Sequence, residues 1–150
     1  MWLPRLWAAA HAARSGVSIP AGYLSDRLGR MPIMAGGWLI RAALLGAMGM
    51  VLHDGALLWG LFLAYAGATA CTEGAARALI GDHAPAQQKG TAFGIYHLAT
   101  GLLALPGAVL FGTLWQTLGQ TAAFGAAATL TLLGTAAFLG QARRRDTGCA

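Results

Sequence analysis

The chain has 150 residues, 57% of them hydrophobic and 10% charged, with 22 glycines and a mean hydropathy of +0.58. Soluble domains carry about 25% charged residues, so this composition excludes a water-facing coat and, by its apolar excess, a disordered chain. The net charge of +5 does not mark a nucleic-acid binder, because the cations sit at the ends of apolar runs or inside them, without a basic stripe of interleaved aromatics; the positive-inside rule accounts for them better.

A membrane helix takes about 20 residues. The pattern predicts an all-α integral membrane protein with five transmembrane helices, over residues 2–22, 33–52, 56–80, 92–115 and 121–140. Residues 1–141 then form one transmembrane bundle and 142–150 a tail. The first segment opens with a charge, a short apolar run and Ala10-His11-Ala12, which mimics a signal-peptidase site, but Pro4 interrupts the run and the segment reads as retained. The charged stretch Leu24 to Pro32 connects it to the second helix, whose first turn suits Pro32 because the missing N–H costs nothing there. His53-Asp54-Gly55 leads to the third helix, Asp82 and Pro85 end it, and Gly119 ends the fourth. Cys71 and Cys149 form no metal or redox spacing.

Alternating the helix ends collects Arg27, Arg30, Lys89, Arg143, Arg144 and Arg145 on one side, against Asp54, His53 and Arg5 on the other. The basic side is expected in the cytoplasm, with the N-terminus outside and the C-terminal tail inside. The membrane expected is a bacterial inner membrane.

Two stretches share the pattern G-x-L-x-x-x-L-G: Gly22 to Gly29 at the end of the first helix and Gly112 to Gly119 at the end of the fourth. Ser15-Gly16 with Pro20 echoes Thr100-Gly101 with Pro106 upstream. A repeat of three helices, an odd number, must place its copies inverted in the membrane, as transporter halves are built. The third helix has no counterpart, so the expectation is a six-helix unit lacking its first helix.

Gly22-Tyr23-Leu24-Ser25-Asp26-Arg27-Leu28-Gly29-Arg30 closely resembles the loop motif of the major facilitator superfamily, G-x-L-A-D-R-x-G-R-K, with Ser25 in place of alanine and Met31 in place of lysine. Glu73 to Asp82, followed by Lys89 to Gly94, is similar to the end of helix ten and the start of helix eleven in bacterial members. The resemblance covers nearly the whole chain, as helices eight to twelve: part of the C-terminal six-helix bundle, without helix seven and the N-terminal half. It implies alternating access between two bundles, with helices eight, ten and eleven lining the solute cavity and nine and twelve facing lipid. It implies a gating loop of Gly22, Asp26, Arg27, Gly29 and Arg30. Asp26 can take hydrogen bonds from a helix N-terminus, one supplied by the other half in the family. The arginines can pair with carboxylates or lipid phosphate, Gly29 permits the tight turn, and Asp82 is a candidate partner for one arginine.

Ionisable groups within a membrane usually face a cavity. His11 and Arg14 on the first helix are candidates for solute or coupling-ion contact. Glu73 and Arg77 are four apart and can pair on one face; Glu73 is also the best candidate for a protonatable group. Tyr65, Tyr96, His97 and Thr100 complete the candidate solute and ion cavity. Arg41 lies about 14 Å into the bilayer at 1.5 Å per residue, on a helix the resemblance sets toward lipid; an inward turn to an acid such as Glu73 is one solution. Gly60, Ala64, Gly67, Gly101, Gly107 and Gly112 suggest close helix packing, and Pro106 a kink.

The expectation is transport of a small solute, with proton coupling as one possibility. The chain would work in the lipid bilayer with a separately supplied N-terminal half or as a homo-oligomer. The alternative is a small membrane subunit of structural or regulatory role. No nucleophile–base set, metal-ligand cluster or phosphate-cradling glycine loop points to an enzyme or to a cofactor.

Overall fold

Inside a bilayer no water satisfies backbone N–H and C=O groups, which leaves helices or closed barrels. The structure, a computed structural model describing residues 3–51 and 54–147, takes the helical solution; for residues 142–147 and several positions of the first helix, Arg14 among them, only the backbone is described. The described residues form α1 (Leu3–Leu28), α2 (Arg30–Met50), α3 (Gly55–His83), a 3-10 turn (Ala86–Gln88), α4 (Lys89–Leu118) and α5 (Gln120–Thr147). Four of these, α2 to α5, are long and apolar enough to cross a membrane. The first helix has the length, but Arg5, His11, Arg14, Asp26 and Arg27 leave its described part short of that apolarity.

The helices run past the apolar segments. Leu24 to Pro32, expected as a connection, is helical except at Gly29, and Gln116 to Gln120 is helical except at Gly119. Charge and amide side chains end the hydropathy signal without ending the helix, because helical hydrogen bonding does not depend on burial. What interrupts it is a single glycine. Gly29 has φ 90° and ψ 151°, and Gly119 has φ 87° and ψ 174°, a region nearly closed to residues with a Cβ. These are the last glycines of the two copies of G-x-L-x-x-x-L-G, and they make the same joint between α1 and α2 as between α4 and α5. Gly29→Ala is expected to destabilise the fold by about 1–3 kcal/mol, read as an earlier loss of helicity in an SDS titration. The other turn of known chemistry is at Asp54, whose carboxylate accepts from the backbone N–H of Ala56 at 3.0 Å and Leu57 at 3.2 Å and so caps α3.

Lipid is as apolar as leucine, so close packing rather than water exclusion holds these helices together. The second helix lies between α3 and α5, α1 packs on α3, and α4 packs on α5. Six residues of α2 are buried (Met34, Ala35, Gly37, Ala42, Met48 and Gly49), whereas α4 has none among the described residues. The helix that the resemblance sets toward lipid is thus the most enclosed one here, because α2 and α5 pack on each other. The closest approaches of α2 to its neighbours are at Gly37, against α3, and Gly49, against α5. A Cβ on Gly37 would collide with Thr72 Cγ2, and one on Gly49 would lie 3.1 Å from Phe124 Cβ. Gly67 meets Val17 of α1 at 3.7 Å, but Gly60, Gly101, Gly107 and Gly112, expected to serve close packing, face open space. Trp38 of α2 meets Phe138 of α5 edge-on at 5.0 Å, and Phe111 and Trp115 of α4 meet Phe124 of α5 at 5.4 and 5.8 Å.

Candidate functional site

The charged end of the bundle gathers the C-terminus of α1, the N-terminus of α2 and the C-terminus of α3. A cation at a helix N-terminus opposes the helix dipole, so Arg30 in the first turn of α2 needs an anion. It finds Asp82, at 2.5 Å, across the α2–α3 hairpin; Asp26, one turn back, is 3.8 Å away. The Arg30 side chain is 23% exposed and Asp82 54%, so the pair is half in solvent and contributes about 1 kcal/mol or less. Asp26 itself is 71% exposed, leaving its carboxylate largely open to solvent. Arg27 lies over the Tyr23 ring, 4.6 Å from its centroid. Ser25 is buried beneath this cluster, with no partner for its hydroxyl. Gly22 is exposed, and Gly29 supplies the joint.

A second group lies along α3. Arg77 donates to Glu73 at 3.1 Å, the i,i+4 pairing that the spacing allows, with side chains 53% and 39% exposed. His11, on α1, is exposed and engaged in an interaction of its own. The Arg14 side chain lies outside the described residues.

Arg41 is a half-buried cation near the middle of α2. It does not turn to Glu73: its Nη2 donates to the Tyr65 hydroxyl at 3.1 Å, and its guanidinium lies 5.3 Å from the centre of the Tyr65 ring. The reason is register. In the α2–α3 hairpin, Arg41 and Tyr65 each stand twelve residues from position 53, whereas Glu73 lies two turns further along α3. That equality of spacing is the signal in the sequence that pairs Arg41 with Tyr65 rather than with Glu73. The structure therefore places Tyr65 beside Arg41.

Tyr96, His97 and Thr100 stand on α4. The Tyr96 and His97 rings meet at 5.3 Å, and the Thr100 hydroxyl donates to the carbonyls of Tyr96 and His97 at 2.9 and 3.1 Å. Among the described residues no hydrogen bond joins these three to α3, so the expected cavity set falls into separate groups. Thr69, Thr72, Thr131 and Thr135 likewise donate to carbonyls of their own helices, which satisfies a hydroxyl in an apolar setting. No group of three or more His, Cys, Asp or Glu capable of holding a metal occurs among the described residues.

Comparison with known proteins adds two findings. The family profile of the Major Facilitator Superfamily matches residues 8–148. An uncharacterized MFS-type transporter of Methanocaldococcus jannaschii is 29% identical over 99 residues, covering 66% of this chain and 25% of the relative. The chain thus spans far less than the length of the curated relative it matches. No solved structure matches it.

Proposed function

The chain belongs to the major facilitator superfamily, and we propose that it forms part of a secondary active transporter that moves a small solute by alternating access. Membership makes it an integral membrane protein of a transporter family. The chain covers 25% of its relative, and in this reading it works together with an N-terminal half.

The observation that carries this reading is the pair of glycine joints. Gly29 and Gly119 share a backbone conformation and a sequence pattern, and three-helix spacing puts them at opposite ends of the bundle. That is the inverted repeat on which rocking transporters are built. The largely exposed α4, which packs on α5 along one side and leaves Leu98, Leu102, Leu103 and Val109 exposed, supports a further packing surface in the assembled transporter. The exposed Asp26 supports a contact with the other half.

The test is uptake into proteoliposomes. The chain reunited with an N-terminal half should accumulate a solute under an imposed ion gradient and lose it on addition of an ionophore. No gradient-dependent uptake across drugs, sugars, organic acids and peptides would overturn the proposal. Orientation is tested by labelling in bacterial spheroplasts. With the charged end in the cytoplasm, Lys89→Cys should resist an impermeant maleimide and Asp54→Cys should react; the reverse pattern would invert the proposed topology.

A further inference from the structure

A cavity of about 410 Å³ opens between α2, α3, α4 and α5. It is separate from the charged end and from the Glu73–Arg77 pair. Its walls are mainly apolar and aromatic, with Phe62, Phe111 and Phe124 around Arg41, Tyr65 and Thr131. We infer that this cavity is a binding site for an organic monocarboxylate with an apolar, aromatic-sized body, held by Arg41. The inference concerns binding within this one unit and stands whether or not the unit transports.

The charge balance is the first argument. Arg41 stands near the middle of α2, where a cation is expensive unless compensated. Its one hydrogen bond goes to a neutral phenol, its Nε is buried with no partner, and among the described residues no carboxylate lies within ion-pairing distance. The Tyr65 ring face favours a cation but leaves its unit charge unneutralised.

Shape and chemistry give the second. A guanidinium presents planar, parallel donors that match a carboxylate, and the pairing strengthens where water is excluded. The Arg41–Tyr65 contact fixes the fork, so less side-chain freedom is lost on binding. Small-molecule sites are mostly apolar clefts of about 300–1,000 Å³ with a few placed polar groups, and this one has that size and lining. The Thr131 hydroxyl is committed to the Ala127 carbonyl at 2.8 Å, so its oxygen is left as an acceptor and the cation dominates recognition.

The experiment uses the full chain in nanodiscs of zwitterionic phosphatidylcholine and measures binding of 3-phenylpropionate by equilibrium dialysis at pH 7.5. Saturable, one-to-one binding is expected, at least tenfold tighter than that of the neutral 3-phenylpropanamide. Arg41→Gln should weaken carboxylate binding tenfold or more and remove the preference over the amide, with helicity by circular dichroism unchanged. Because the comparison of acid with amide is made on the unaltered chain, it stands even if the variant fails to fold. Equal binding of acid and amide, or no saturable binding of the acid, would overturn the inference. Displacement of the acid by phosphatidylglycerol in the nanodisc would also overturn it, by assigning the site to a lipid phosphate.

Discussion

Gly37→Leu is expected to separate α2 from α3 and destabilise the bundle by about 1–3 kcal/mol or more, the range for overpacking a tight contact. The collision is with Thr72, and Thr72 has little room to yield. It is 2% exposed, and its hydroxyl donates to the carbonyls of Thr69 at 2.9 Å and Ala68 at 3.2 Å. Rotating its side chain would give up those bonds in an environment with no water to replace them, while the Ala68 carbonyl itself lies only 3.8 Å from where the new Cβ would sit. Packing is the main force between helices in lipid, so the loss is a large share of the whole. The measurement is an SDS titration of helicity. Gly37→Ala alone should already shift the midpoint. Adding Thr72→Ser, which deletes the Cγ2 methyl that collides, should restore most of it. A Gly37→Leu chain as stable as the original would refute the close approach.

That contact shows where sequence reading stops in this chain. Hydropathy located α2 to α5, since each apolar run is long and bounded by polar residues, and marked α1 more weakly, across its charged positions. It misplaced their ends, because Asp26, Arg27 and Arg30 say where water begins and not where helical hydrogen bonding stops. The glycine joints were legible from a pattern that recurs once. The tight glycines were not: with 22 glycines, nothing local separates Gly37, which meets Thr72, from Gly101, which meets nothing. Only the register of a neighbouring helix decides that. The same holds for the cations. Asp82 was legible as a partner for an arginine because both lie at the charged end of adjoining helices. Arg41 was legible as a charge at membrane depth, but an acid is the partner that charge balance suggests, and the hairpin instead delivers a tyrosine.

Asp26→Asn is expected to abolish solute uptake by the reunited transporter while leaving this chain's own stability within about 0.5 kcal/mol, the usual range for a surface substitution. The split follows from the geometry of the charged end. Arg30 is engaged by Asp82 at 2.5 Å and is 3.8 Å from Asp26, so removing the Asp26 charge disturbs little within the bundle. What it removes is a largely exposed anion, suited to capping a helix N-terminus of the other half. Arg30→Asp should behave differently. It sets two carboxylates against each other across the α2–α3 hairpin, and both stability and uptake should fall. The double exchange Arg30→Asp with Asp82→Arg should recover stability, since the pair is re-formed with its polarity reversed. The two readouts therefore separate a contact that holds the bundle together from one that links it to its partner. Undiminished uptake in Asp26→Asn would remove the gating role from the loop.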